Sequence, residues 1–246
     1  MSGPHRPSAA VVVLAGGSGT RVGAGLNKVY LPLAGRRVVS WSFRWASAVP
    51  EVGAYVLVVR PEDRELAEEA LRREVRLPVR LVVGGGTRHA SEQAALDVLA
   101  PDVRSGAVEV VAIHDGARPL AGPSLWGSVV RTAADVGGGV PALPATGVLP
   151  VLDDGHPHPG PPPGPDPGAL LRVQTPQAFR APELLDAYAA AGRAGVEGTD
   201  TSSTVTRFGG LAVRAVPGSR ENLKVTYPHD LFLAERLLAA HRYQLA

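Results

Sequence analysis

Short apolar, β-branched runs alternate along the chain with stretches whose apolar residues recur at helical spacing. The runs at 10–14, 55–59, 79–83, 108–113, 138–143 and 212–216 have the length and composition of buried strands. The spacing predicts helices over 38–46, 61–74, 89–99, 124–134, 183–191 and 200–208, and a terminal helix from about 229. In 38–46, Trp41 and Trp45 sit one turn apart and read as core. In 61–74, the acidic run Glu62, Asp63, Glu65, Glu68 and Glu69 reads as a solvated face. Alternating strands and helices predict an α/β fold: a Rossmann-like, mostly parallel central sheet flanked by helices, with ligand loops along one edge. No repeat and no second core-sized block interrupts it, so 1–246 reads as one domain.

One segment breaks the pattern. From Asp153 to Gly168 the chain is dominated by proline and glycine, a composition that excludes helix or sheet interior and predicts a protruding arm at about 145–172. His156 and His158 lie in it without the further ligands that a metal site needs.

The polar positions that carry chemistry gather where predicted strands end. After the first strand comes Ala15-Gly16-Gly17-Ser18-Gly19-Thr20-Arg21-Val22-Gly23-Ala24-Gly25-Leu26-Asn27-Lys28. Its five glycines let backbone N–H groups turn toward a ligand at close range. Arg21 and Lys28 add a planar fork and a compact point charge. Three familiar loops are excluded. Asn27 and Val29 flank Lys28, which rules out a P-loop; Val22 stands where a Rossmann fingerprint needs its third glycine; Thr20 stands where a nucleophile elbow needs glycine. What remains has the form of a polyphosphate cradle and resembles the Gly-x-Gly-x-Arg…Lys signature of nucleotidyltransferases.

A second nest, Gly84-Gly85-Gly86-Thr87-Arg88, follows the third predicted strand. Backbone there could read a flat ring, and Ser91 could add a hydroxyl or simply cap the next helix. The fourth strand delivers His114-Asp115-Gly116-Ala117-Arg118-Pro119 to the edge where open α/β sheets bind ligands. Asp115 could orient a substrate hydroxyl or a charged side chain and Arg118 could grip a phosphate, or the two could pair with each other. His114 reads as structural.

Composition narrows the field. Hydrophobic residues make up 45% of the chain, enough for a sizeable core, and no apolar run approaches the ~20 residues of a membrane span. The segment 1–8 is too short and wrongly flanked for a signal peptide. There is no cysteine, hence no disulfide, thiolate metal site or cysteine nucleophile, and the cytoplasm is the expected compartment. A net charge of +2 with 5% aromatic residues is unlike a nucleic-acid binder. Of 25 basic residues, only Lys28 and Lys224 are lysines. They are candidates for places where a compact ammonium matters, unless an arginine-biased composition left them by chance.

Five segments now fall in one order: Ala15-Gly16-Gly17-x-Gly19-x-Arg21…Lys28-x-Tyr30-Leu31, then Gly85-Gly86…Arg88-x-x-Ser91, His114-Asp115-Gly116-Ala117-Arg118-Pro119, Gln174-Thr175-Pro176-Gln177, and Asn222-Leu223-Lys224-Val225-Thr226…Asp230-Leu231. Together they resemble the 2-C-methyl-D-erythritol 4-phosphate cytidylyltransferase family of the non-mevalonate isoprenoid pathway, over nearly the whole chain. Both lysines fall inside the matched segments.

The resemblance implies a role for each matched residue. Ala15, Gly16, Gly17 and Gly19, with Arg21 and Lys28, would hold the CTP triphosphate, Lys28 facing the α-phosphate. Gly85, Gly86 and Ser91 would read the cytosine. Asp115, Arg118, Thr175, Thr199 and Lys224 would line the acceptor side, and Arg21, Lys28 and Lys224 would act on the reacting phosphates. It also implies Mg2+ held mainly by the CTP phosphates, no metal site of the protein's own, and a homodimer clasped by the arms. Its partners would be CTP and a polyol phosphate, with neither nucleic acid nor membrane. Departures fall on the acceptor side. Where the family has Pro-x-x-Asp-Thr-x-Lys the chain reads Pro144-Ala145-Thr146-Gly147-Val148-Leu149-Pro150, the arm arginine aligns near Pro167, and Asp200 is followed by Thr201-Ser202. Two other functions therefore stand beside the first: the same transfer to another polyol phosphate such as ribitol 5-phosphate, and a nucleotide-binding homologue without transferase activity.

Overall fold

Each predicted strand is present, its ends displaced by no more than three residues. The structure, a computed structural model, describes residues 8–17, 27–146 and 170–242, with side chains to 240. Gly19, Arg21 and nearly all of the arm, with His156 and His158, lie outside the described residues. The strands are β1 (Ala9–Leu14), β2 (Pro32–Leu33), β3 (Arg36–Arg37), β4 (Val52–Val59), β5 (Val79–Val83), β6 (Val110–Asp115), β7 (Gly137–Pro144), β8 (Leu171–Val173), β9 (Gln177–Arg180) and β10 (Ala212–Pro217). The helices are α1 (Val38–Ala46), α2 (Arg64–Ala70), α3 (Arg88–Arg104), α4 (Pro123–Val136), α5 (Ala181–Ala194), α6 (Thr201–Phe208) and α7 (Pro228–Arg242). β2 and β3 pair as a small separate hairpin.

The main sheet runs β10-β7-β9-β6-β1-β4-β5, with β8 paired to β7. Neighbours β6, β1, β4 and β5 are parallel, as are β7 and β10, whereas β9 is antiparallel to both β6 and β7. β8 also runs antiparallel to β7. From β1 the chain builds outward through β4 and β5, then returns to place β6 on the other side of β1. The order therefore reverses beside β1, the place where an open α/β sheet leaves a crevice at the strands' carboxyl ends.

β1 shows why the sheet is covered twice. Its alternate side chains face opposite sides: Val11 and Val13 pack with Phe43, Ala67 and Trp126 from α1, α2 and α4. Ala10 and Val12 pack with Leu96, Leu184, Tyr188 and Val205 from α3, α5 and α6. Each fully buried valine or leucine contributes about 1.5–3 kcal/mol. A smaller cluster of Leu33, Val38, Trp41, Val225, Ala234 and Leu238 seats α7 on the hairpin. Trp41 and Trp45 stack at 5.5 Å, and their indole N–H groups donate to the carbonyls of Leu33 and Pro119.

Two readings of the helices need correction. The stretch 61–74 is not one regular helix: a 3-10 turn at Pro61–Asp63 leads into α2, and a π-helical turn at Leu71–Val75 ends at Arg76 in the left-handed region (φ 56). Its acidic run is not uniformly solvated. Asp63 is buried, held by Nε and Nη2 of Arg60 at 2.6 and 2.8 Å, and accepts from Nδ2 of Asn27 at 2.7 Å. α3 runs five residues beyond its predicted end, continuing through Pro101. Among the described residues, no helix is long and apolar enough to cross a membrane.

Candidate functional site

At the switch point lies a cleft of about 360 Å³. Three turns build it. After β1, Gly16 and Gly17 present backbone; after β5, Gly85, Gly86 and Thr87 do the same; at the end of β6 stands Asp115. Asn27, Lys28, Arg88, Ser91, Ala117 and Lys224 complete most of its wall.

The first wall is braced from behind. Asn27 is buried, and its amide donates to the carbonyl of Ala15 at 2.8 Å as well as to Asp63. Its side-chain oxygen caps the 3-10 turn Lys28–Tyr30. Asn27 thus ties the end of β1 to the turn that carries Lys28, and the Arg60–Asp63 pair fixes Asn27. A polar group this deep is tolerated because each hydrogen-bonding atom has a partner.

The second wall shows why glycine is needed. A Cβ on Gly85 would lie 2.4 Å from Cβ of Ala90, so the β5–α3 turn has no room for one, whereas at Gly86 nothing stands within 4 Å. Thr87 caps α3, its hydroxyl accepting from the backbone N–H of Ala90 at 3.1 Å. Ser91 is therefore not the cap. Its hydroxyl donates to the carbonyl of Gly85 at 3.3 Å and faces the cleft.

The electrostatic centre is Asp115. Its carboxylate meets Nη1 of Arg88 at 2.5 Å, Nζ of Lys224 at 2.8 Å and Nε of Arg118 at 3.7 Å. Burial alone would push this carboxyl up; Arg88, Lys224 and Arg118 outweigh it and hold the group well below the usual carboxylate range. Its backbone N–H donates to Oγ1 of Thr175 at 3.0 Å. His114, fully buried, contacts Thr175 through Nδ1 and the Arg118 carbonyl through Nε2, both at 3.1 Å. Burial pushes its pKa down to about 3, so the ring is neutral near pH 7.

The structure brings Gly16, Gly17, Lys28, Gly85, Gly86, Ser91, Asp115 and Lys224 onto one cleft. Ala15, Arg118 and Thr175 stand just behind it: Ala15 is held by Asn27, Arg118 donates to the Asn222 carbonyl at 2.7 Å, and Thr175 braces β6. Thr199 is exposed, outside the cleft lining, and its hydroxyl reaches Oγ of Ser203 at 3.4 Å. Gly19 and Arg21 lie outside the described residues. The sequence reading assigned no role to Asn27, Arg88 or Glu92. The i, i+4 spacing of Arg88 and Glu92 signals a helical pair, but nothing local shows that Glu92 is buried.

A switch-point cleft walled by glycine backbone and cationic side chains, with one carboxylate already neutralised, defines a protein that binds an anionic, phosphorylated ligand. Comparison with known proteins narrows that class. A family model described as 2-C-methyl-D-erythritol 4-phosphate cytidylyltransferase matches residues 9–240. A protein of that name from Cereibacter sphaeroides is 40% identical over 230 residues, spanning 94% of this chain and 96% of its own length. One from Solibacter usitatus is 36% identical over 93% of this chain and 95% of its own. The crystal structure of the Thermus thermophilus 2-C-methyl-D-erythritol 4-phosphate cytidylyltransferase superposes with a TM-score of 0.66 at 26% identity, covering 94% of this chain and 98% of that one. A 4-diphosphocytidyl-2C-methyl-D-erythritol synthase structure from Anaerococcus prevotii, at 24% identity, shares the fold with a TM-score of 0.80 over 96% of this chain and 100% of its own. The chain belongs to the 2-C-methyl-D-erythritol 4-phosphate cytidylyltransferase family.

Proposed function

We propose that this chain is a cytidylyltransferase that transfers CMP from CTP to 2-C-methyl-D-erythritol 4-phosphate and releases pyrophosphate. An oxygen of the acceptor phosphate attacks the α-phosphorus of CTP; a new phosphoanhydride bond forms as the α–β bond breaks, and the electron pair leaves on pyrophosphate. The attacking oxygen is already anionic, so no strong general base is needed. The difficulty is charge: two anions must meet while negative charge redistributes around phosphorus. One observation carries this reading beyond family membership. The chain's two lysines, one at each end of the sequence, line the same cleft as the glycine turns.

In this reading Ala15, Gly16, Gly17, Gly19, Arg21 and Lys28 hold the triphosphate, and Gly85, Gly86 and Ser91 read the base. Asp115, Arg118, Thr175, Thr199 and Lys224 serve the acceptor side. Asp115 fixes the Lys224 ammonium, Arg118 and Thr175 support Asp115, and Thr199 precedes the N-cap of α6. Mg2+, where bound, would be held mainly by the CTP phosphates. Among the described residues no three His, Cys, Asp or Glu side chains gather into a metal site, and Asp115 is the sole carboxylate of the cleft lining. That donor set fits an ion carried mainly on phosphate oxygens, where it would offset charge on the triphosphate.

The chain would work as one domain, 1–246, in the cytoplasm, without nucleic acid or membrane partners. It would act as a homodimer joined by the segment 145–172; the exposed Leu170 and Leu171 at the end of that segment and Val173 just after it support this. Pyrophosphate release with CTP and Mg2+, measured against methylerythritol phosphate and ribitol 5-phosphate, tests the reaction. Release with the first acceptor alone is expected. Release with only the second would reassign the substrate, and CTP binding without release would make the chain a non-catalytic homologue.

A further inference from the structure

One buried acidic side chain remains outside this scheme. Glu92, on α3, is 1% exposed and does not line the cleft. Its Oε1 accepts from Nε of Arg88 at 2.9 Å and from Oγ1 of Thr201 at 3.0 Å, and the Tyr188 hydroxyl donates to its Oε2. Tyr188 belongs to α5, where its ring stacks on His89 with centroids 4.6 Å apart; Thr201 opens α6. Three helices therefore converge on this carboxylate, and the arginine it holds reaches forward into the site.

That arginine is bound at both ends. Its Nε faces Glu92 while its Nη1 faces Oδ1 of Asp115. The second oxygen of Asp115 holds the Lys224 ammonium. A guanidinium is planar and rigid, so a carboxylate that fixes one edge also fixes where the other edge points. The line Glu92–Arg88–Asp115–Lys224 thus runs from a dry interhelical anchor to a cation in the cleft.

We propose that Glu92, anchored by Tyr188 and Thr201, is a positioning residue for the transfer: acting through Arg88, it sets the place of Asp115 and hence of the Lys224 ammonium. This rests on the functional reading above. With its carboxyl group altered, the Nε edge of Arg88 loses its anchor, and Arg88 can reorient beside Asp115, which also faces Lys224 and Arg118. Lys224 then loses its fixed seat. A misplacement of about 1 Å at such a group can cost on the order of 10²-fold in rate.

Glu92→Gln keeps size and shape, carries no charge, and turns one of the two accepting oxygens into an N–H donor. The expected result is a kcat lowered about 10–100-fold, with the KM for CTP and the stoichiometry of CTP binding by calorimetry close to wild type. Lost folding would instead lower the stoichiometry. The decisive readout is a cycle with Arg88→Gln. If Glu92 acts through Arg88, adding Glu92→Gln to Arg88→Gln changes kcat by less than about twofold, because the residue to be positioned is already gone. Tyr188→Phe, which keeps the ring and its stack on His89, should show the same signature at about 3–10-fold and serves as the test if Glu92→Gln does not fold. A kcat for Glu92→Gln within twofold of wild type, or losses that multiply in the double variant, would overturn the inference while leaving the reaction intact. A wild-type chain that binds CTP but releases no pyrophosphate with any acceptor would overturn the reaction and this role together.

Discussion

Replacing Asp115 by asparagine removes one negative charge from between three positive ones and turns one of its two accepting oxygens into a donor, with the side chain's size unchanged. Oδ1 faces Arg88 at 2.5 Å and Oδ2 faces Lys224 at 2.8 Å, with Arg118 at 3.7 Å. Breaking a fully buried pair by deleting one partner costs about 3–5 kcal/mol. Here the Lys224 and Arg88 side chains are 43% and 29% exposed, so water takes up part of their charge, and the asparagine oxygen still accepts one hydrogen bond. A loss of about 2 kcal/mol follows. For a chain of this size that lowers Tm by about 4–8 °C. The variant leaves its cations to face the cleft, so it should respond more strongly to an anion bound there. Saturating pyrophosphate is expected to recover at least half of the deficit, since binding to the folded state alone stabilises it. Scanning calorimetry in anion-poor buffer, with and without pyrophosphate, reads both quantities. A Tm within 1 °C of wild type, or a deficit unchanged by pyrophosphate, would refute the placement of Asp115 as the internal counter-ion of an anion site.

Further outcomes are expected. Lys28→Ala should lower kcat by ~10²–10³-fold in the pyrophosphate-release assay, the size typical of one preorganised electrostatic group; activity within tenfold of wild type would remove Lys28 from the mechanism. Gly85→Ala places a methyl 2.4 Å from Ala90, which forces the β5–α3 turn to move; calorimetry should show CTP binding weakened about tenfold or more, equal to a loss of about 1.4 kcal/mol. For His114, burial lowers the folded pKa from 6.5 to about 3. Between these values the unfolded chain binds the extra proton, so stability is full above pH 6.5 and falls as the pH drops below it. That amounts to about 2 kcal/mol lost by pH 5. Urea midpoints from pH 8 to 5 should show the slope in wild type and a flatter one in His114→Gln; parallel slopes would exclude His114 as its source.

The central fold was legible because its signals are local. A run such as Val11-Val12-Val13 can satisfy its side chains only by facing apolar surface on both sides, and the helices between such runs supply it. Strand ends moved by a few residues, since pairing partners decide where a ladder stops. β9 was not legible at all: Gln177-Ala178-Phe179-Arg180 is short and begins and ends in polar residues, and it becomes a strand because β6 and β7 flank it.

The site divides in the same way. Glycine turns after strands, two lysines among 25 basic residues and an acidic residue at the end of β6 can all be seen in one dimension, because turn chemistry and charge are properties of short segments. Which charges meet cannot. From sequence, Asp115 has Arg118 as its obvious partner three residues on, yet Arg88 and Lys224 lie closer, drawn in from α3 and from the approach to α7. Asp63 has the look of a surface acid and is buried; Glu92 looks like half of a helical pair and joins three helices. Desolvation and long-range pairing exist only once distant segments pack, so chain order dictates the scaffold and its candidate groups, while packing chooses the partners that set their charge and aim.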